Sequence, residues 1–178
     1  MKHSCYLQTP IGVIYIEENG EAVTALHVVP KCGEKSRPDK NRREILAEGP
    51  DEHRRLSEMK FLTEPETDLL KRAGLQLMEY FQGIRTEFTL PLAPKGTEFQ
   101  KKVWKALCTI PYGQTRSYGQ IAAQIGNPKA CRAVGGANNK NPVWIFIPCH
   151  RVIGANGSLV GFGGGLYAKE YMLKLEMR

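Results

Sequence analysis

At 178 residues, 42% apolar and 24% charged, the chain is long enough for one domain or two small ones and has the make-up of an ordinary globular protein. No apolar run approaches the roughly 20 residues that span a bilayer. The N-terminal Met1-Lys2-His3-Ser4-Cys5 leads into no signal-like stretch, so an intracellular protein is expected. Five cysteines, without a Cys-x-x-Cys pair, fit reduced thiols better than a disulfide framework. The net charge of +7 is uneven: residues 1–91 hold 13 Lys and Arg against 15 Asp and Glu, a net of −2, whereas residues 92–178 hold 12 against 3, a net of +9. A basic half beside a slightly acidic one suggests a polyanion-binding module; a solvated basic surface is the plainer alternative.

Residues 11–17 and 22–29 are rich in Val, Ile and Tyr, and the intervening Glu18-Asn19-Gly20-Glu21 predicts a hairpin. Residues 30–60 are charged and irregular and read as a long loop with a short helix. Thr63 serves as N-cap for a helix from Pro65 to Phe81, whose Leu69, Leu70, Leu77, Met78 and Phe81 share one face, although Gly74 weakens it. The proline-bearing stretch Thr89–Gly96 has the composition of a linker, which divides the chain into residues 1–91 and 92–178. Thr97-Glu98-Phe99-Gln100 has the pattern of a capping box opening a helix to about Leu107.

Ile110–Gln114 reads as a turn, and Ser117 then caps a helix from Tyr118 to Ile125. Gly126-Asn127-Pro128 breaks it, with Asn127 as N-cap and Pro128 as the first residue of a helix reaching about Asn139. Two short helices joined by a tight glycine-containing turn form a helix-turn-helix pattern. Most such pairs only pack, but Lys129, Arg132 and Lys140 lie on or beside the second helix, in the +9 half. Gly135 and Gly136 inside that helix cost about 1 kcal/mol each relative to alanine. Either another element packs closely against them, or the helix itself approaches something closely.

The run Ile145-Phe146-Ile147-Pro148-Cys149-His150-Arg151-Val152-Ile153 carries a cysteine and an adjacent histidine between apolar flanks. Pro148 fixes its own φ and withholds a backbone N–H. A buried cysteine is ordinarily an inert small hydrophobe. It becomes a strong nucleophile only as its thiolate, and here it has a titratable neighbour.

Pro148-Cys149-His150-Arg151-Val152, preceded by Arg132-Ala133-Val134-Gly135-Gly136-Ala137 and followed by the loop Gly161-Phe162-Gly163-Gly164-Gly165, resembles the O6-alkylguanine-DNA alkyltransferases, also called methylated-DNA–protein-cysteine methyltransferases. Ser117-Tyr118, Asn127-Pro128-Lys129 and Asn141-Pro142 extend the resemblance over residues 92–178; residues 1–91 resemble the family only loosely. The resemblance implies an α/β (α+β) fold, with an N-terminal ribonuclease-H-like sheet module and a mostly helical C-terminal domain carrying a winged-helix-like helix-turn-helix. It implies DNA repair by direct reversal, in which the alkyl group of O6-alkylguanine moves to Cys149. The product is a thioether with no easy leaving group, so each molecule reacts once.

The same resemblance implies roles for individual residues. His150, working with Glu170 through a bridging water, removes the thiol proton, a nucleophile–base–orienter arrangement. Tyr118 hydrogen-bonds the base and helps protonate it. Asn141 ties the recognition helix to the active-site strand. Arg132 occupies the space left by the flipped nucleotide, approached from the minor groove, whereas most helix-turn-helix proteins read the major groove. Ser117, Lys129, Ala133, Gly135, Gly136 and Arg151 complete the DNA-facing set. Pro148, Val152, Phe162, Gly163 and Gly164 line the base pocket with Tyr118; Phe162 stands where tyrosine is common, so it stacks without hydrogen-bonding. Read without the resemblance, Arg132 is a phosphate contact or surface ion pair, Glu170 a solvated helix residue, Tyr118 a half-buried core residue and Asn141 an ordinary Asn-Pro turn.

The expected partner is double-stranded DNA bearing O6-alkylguanine, with no membrane and no cofactor, and the chain acts as a monomer in the cytoplasm, or in the nucleus of a eukaryote. Cys5, His27, Cys32 and His3 match no standard four-ligand zinc spacing, so no metal is expected. Two other classes stay open, with a DNA-binding regulator as a weaker third. A non-catalytic lesion-binding protein does not need Cys149, nor does a plain DNA-binding regulator. A cysteine hydrolase using Cys149, His150 and Glu170 would turn over many times.

Overall fold

The structure, a computed structural model, describes residues 1–29 and 56–178. Strands β1 (His3–Thr9), β2 (Gly12–Glu18), β3 (Val23–Val28) and the short β4 (Lys60–Phe61) form an antiparallel sheet in the order β3-β2-β1-β4. Cross-strand pairing of Leu7 with Ile14, Cys5 with Ile16, and Ile16 with Leu26 puts these apolar side chains on one face, where all are fully buried. Helix α1 (Asp68–Phe81) covers that face with Leu70, Ala73, Leu77, Tyr80 and Phe81. The expected hairpin is present: Asn19 Oδ1 accepts from the backbone N–H groups of Glu21 and Ala22, and Gly20 takes φ 94°.

Helix α1 begins three residues later than Pro65. Its cap is Thr67, whose hydroxyl accepts from Leu70 N at 3.2 Å. Thr63 is engaged elsewhere, accepting from Tyr6 N at 2.9 Å and so fastening the chain to β1. Gly74 has a packing reason: the Phe61 ring of β4 lies where a methyl group would project. The loop and short helix expected over 30–60 fall mostly outside the described residues, apart from a 3-10 turn at Leu56–Glu58 and β4.

In the second half, α2 (Glu98–Leu107) carries both halves of the expected capping box, Thr97 N donating to Gln100 Oε1 at 2.8 Å and Gln100 N to Thr97 Oγ1 at 3.3 Å. Ser117 and Gln120 repeat the device at α3 (Tyr118–Gln124). Helix α4 (Cys131–Asn139) packs on α3 as the second member of the pair, and buried Trp104 of α2 anchors it by donating Nε1–H to Ala137 O at 2.8 Å. The start of α4 differs from the expected Pro128. Asn127, Pro128 and Lys129 form an exposed turn closed by Ala130 N to Asn127 O at 2.9 Å, and no side chain caps the helix.

Two features position the cysteine-bearing segment. The outer edge of β3 accepts it as a partner, with Leu26 N donating to Pro142 O at 2.8 Å and Trp144 N to Leu26 O at 2.9 Å. Helix α5 (Gly165–Glu176) packs against it from the other side, at a 3-10 turn over Cys149–Arg151. The expected active-site strand is instead a turn: Phe146 N bonds Trp144 O, Ile147 N bonds Val143 O, and Ile145 takes φ 69°. A strand would carry Cys149 along the sheet edge, whereas the turn folds it inward. A short parallel pair, β5 (Arg116–Ser117) with β6 (Val152–Ile153), joins the turn to α3. One apolar core runs through both halves, from Leu26 and Tyr80 to Ile147, Val152 and Leu175.

Candidate active site

Cys149 is 1% exposed, and burial pushes its thiol up to about 11, with Asn141 and the Lys169 ammonium pulling partly in the other direction. Asn141 organises the turn that carries it. Its Nδ2 donates to Ile147 O at 2.9 Å, its Oδ1 accepts from Val143 N at 3.0 Å, and its own carbonyl accepts from Trp144 Nε1 at 2.7 Å. Asn138 of α4 adds a donation to Cys149 O at 3.3 Å, so the helix-turn-helix and the nucleophile are connected through side-chain amides.

His150 is fully buried. Its Nε2 lies 2.7 Å from Glu176 Oε1, and its Nδ1 has no hydrogen-bond partner among the described residues. The carboxylate accepts from Arg151 at both oxygens, Nε to Oε2 at 2.8 Å and Nη2 to Oε1 at 3.0 Å, and further from Tyr80 Oη at 2.8 Å and Gly113 N at 3.2 Å. Burial alone would raise this carboxyl, but the His150 and Arg151 interactions outweigh it and hold Glu176 at about 2. An anion that only accepts requires Nε2 of His150 to carry hydrogen, which leaves Nδ1 with a lone pair. Burial also keeps His150 below its ordinary range, with Glu176 opposing, so the imidazole is neutral and able to take a proton.

Two expectations are corrected here. Glu170 does not meet His150: it is half exposed on α5 and pairs with Lys174 Nζ at 2.7 Å, one turn along the same helix. The acid facing His150 is Glu176, which lies seven residues after Lys169 on the buried stripe Lys169, Met172, Leu173, Glu176. That periodicity is the signal in the sequence that distinguishes the two glutamates. Arg151 does not face outward toward DNA either. It is 6% exposed, and its guanidinium is held by Glu176 and by Ile110 O, to which Nη1 donates at 2.7 Å. Tyr80 and Lys169 were not singled out by sequence reasoning; each reads as an ordinary helix residue until the fold buries it.

Tyr118 and Lys169, which both interact with the thiol, are tied to the loop over 154–165. Val160 O accepts from Tyr118 Oη at 3.0 Å and from Lys169 Nζ at 3.0 Å, and Lys169 also donates to Val152 O at 2.6 Å. Burial drives the Lys169 amine down to about 8, opposed by Cys149. Phe162 packs on Trp144 with centroids 5.2 Å apart, and that indole lies where a side chain at Gly163 or Gly164 would need to be. Pro148 and Val152 are buried.

On α4, Arg132, Ala133 and Gly136 are exposed, with Lys129 exposed in the preceding turn. A methyl group at Gly136 would meet nothing within 4 Å, and one at Gly135 only the Tyr118 ring at 3.8 Å. Packing among the described residues therefore does not require either glycine. Ser117 uses its hydroxyl to cap α3. Of the four residues weighed and set aside as zinc ligands, His3 meets Glu66 at 2.9 Å, His27 lies between Tyr15 and Trp144, Cys5 is buried, and Cys32 is outside the described residues.

Two family models cover nearly the whole chain: the ribonuclease-like domain of 6-O-methylguanine DNA methyltransferase matches residues 1–94, and the DNA binding domain of the same family matches residues 98–178. The chain belongs to the 6-O-methylguanine DNA methyltransferase family. A methylated-DNA–protein-cysteine methyltransferase of Mycobacterium leprae is 44% identical over 176 residues, covering 99% of this chain and 93% of that protein. A protein of the same name from Methanosarcina acetivorans is 61% identical over 109 residues, which is 61% of this chain and 70% of the relative. Among solved structures, the O6-methylguanine methyltransferase of Mycobacterium tuberculosis superposes with a TM-score of 0.78 at 41% identity, over 99% of this chain and 93% of that one. The Mycobacterium tuberculosis protein in complex with DNA gives 0.75 at 41% identity, over 97% and 91%.

Proposed function

We infer that this protein repairs DNA by moving the alkyl group of O6-alkylguanine onto Cys149, once per molecule. The observation that carries the reading is the buried series Cys149, His150, Glu176: a thiol, a neutral imidazole with an unpartnered Nδ1, and an anchored anion that fixes its tautomer. The thiol proton passes to His150 Nδ1, by the water relay that the family resemblance implies. The sulfur then attacks the saturated carbon, the S–C bond forms as the C–O6 bond breaks, and the electron pair stays with guanine. Tyr118 supplies a proton to the departing base and recovers it from the imidazolium, so guanine leaves neutral and His150 returns to its starting state. For Tyr118 to do so its hydroxyl must leave Val160 O, which makes opening of that contact part of substrate entry.

A guanine inside the duplex keeps its O6 substituent out of reach of a buried thiol, so the nucleotide has to be extruded at a cost of a few kcal/mol. Helix α4 offers what that needs: an exposed Arg132 to fill the gap, and a small-residue face at Ala133 and Gly136, where no contact among the described residues requires the glycine. We read this face as the side that enters the minor groove, with Lys129 on the phosphates. The chain works as a monomer without cofactor, in residues 1–91 and 92–178 as two domains. Titrating the protein with a duplex carrying one O6-methylguanine tests the reading by nucleoside analysis. Lesion loss should stop at one per protein and be absent in Cys149→Ala. Continued turnover would mean a hydrolase instead, and binding without loss a non-catalytic lesion binder.

A further inference from the structure

We propose that Tyr80, on α1 of the N-terminal half, is a positioning residue for the transfer reaction: its hydroxyl holds the Glu176 carboxylate and sets how strongly that carboxylate acts on His150. The proposal rests on the reading above. Tyr80 is fully buried, boxed by the rings of Phe81, Phe88, Tyr112 and His150 at centroid distances of 5.3, 5.5, 6.3 and 6.4 Å. A phenylalanine would fill that box equally well. The hydroxyl is therefore the informative atom, and a buried hydroxyl persists where it has a partner.

Its partner is the catalytic series itself. Tyr80 Oη donates to Glu176 Oε1 at 2.8 Å, on the same oxygen that receives His150 Nε2 at 2.7 Å, and it lies 3.4 Å from Nε2. Oε1 has a third donor in Arg151 Nη2 at 3.0 Å, while Oε2 is satisfied by Arg151 Nε and Gly113 N. Position is thus already secured by the two-pronged arginine. What Tyr80 adds is a competing donor on the oxygen facing the imidazole, and its replacement by phenylalanine changes no formal charge. The hydrogen bond that Oε1 accepts from Tyr80 Oη draws negative charge away from His150 Nε2–H.

The direction of the effect follows. A less shared carboxylate stabilises imidazolium better, so removing the hydroxyl raises the pH at which His150 becomes neutral. The other groups facing this histidine are Glu176 and Lys169 of α5 and Arg151 and Cys149 of its own turn, with Tyr112 behind Tyr80. None of them is altered by Tyr80→Phe. Donation at 2.8 Å outweighs the weaker 3.4 Å approach of Oη to Nε2, which would act the opposite way.

The test uses the full chain with Tyr80→Phe and an excess of duplex carrying one O6-methylguanine, following single-turnover methylation of Cys149 as a function of pH. The acidic limb of the rate profile should move up by about half a pH unit or more, slowing transfer at least roughly threefold at a pH below both midpoints. Above both midpoints the two rates should converge, and the dissociation constant for the duplex should stay within about twofold. A rate constant fitted to reacting molecules is insensitive to the folded fraction. A purely structural role would therefore lower the amplitude and leave the midpoint unmoved, and that outcome overturns the proposal. Transfer by the unsubstituted chain shows the underlying reading to be intact in the same experiment; its absence overturns both.

Discussion

Arg151 grips Glu176 with two parallel hydrogen bonds, Nε to Oε2 at 2.8 Å and Nη2 to Oε1 at 3.0 Å, in a site where both side chains are nearly inaccessible. The pair joins the turn carrying the nucleophile to the last turn of α5. It fixes the anion on which His150 depends, and the arginine next to the reactive residues acts within the protein. Breaking a buried pair costs far more than forming it contributes, because the remaining charge has no partner.

Glu176→Gln should therefore lower stability by about 3 kcal/mol, or roughly 10 °C in melting temperature. It should also slow methyl transfer by about 100-fold or more, since the histidine loses its orienting anion. The pH dependence has a definite sign. Glu176 is held at about 2 against an ordinary 4.5, so its contribution is fully present above about 4.5 and is lost as the pH falls toward 2. Thermal melts of the variant should lose that segment of acid sensitivity.

Glu170→Gln is the discriminating companion. Its carboxylate is half exposed and bonded to Lys174 within one helix, so the change should alter stability by no more than about 0.5 kcal/mol and leave the transfer rate roughly unchanged. A large loss of transfer rate in this variant would return the orienting role to Glu170.

Labelling with iodoacetamide at neutral pH should separate the thiols by burial. Cys131 and Cys108 are exposed and should react first, while Cys149, 1% exposed with its thiol near 11, should react on the order of 100-fold more slowly in the absence of DNA. Peptide mapping over time checks the order. Rapid labelling of Cys149 would mean that the loop held at Val160 does not close the pocket.

What could be read from the sequence divides by physical cause. The hairpin, the capping box at Thr97, the Ser117 cap, the helix-turn-helix pair and the Pro148–Val152 run rest on local signals, and these occur where expected. Helix starts moved where tertiary contacts competed: Thr63 was taken by Tyr6, and Asn127 by the turn before α4. The role of Glu176 was missed because nearness to a motif is a weak guide compared with helical periodicity, which puts Lys169 and Glu176 on the buried stripe and Glu170 off it. Tyr80 could not be assigned locally at all, being 70 residues from His150 and meeting it only through the fold.

The most direct measurement is intact mass after mixing with an excess of duplex DNA containing one O6-methylguanine. The mass should rise by one methyl group, about 14 Da, confined to the Cys149 peptide and absent in Cys149→Ala, with one lesion lost per protein. An unchanged mass under those conditions, or a methyl group on any other residue, would contradict transfer to Cys149.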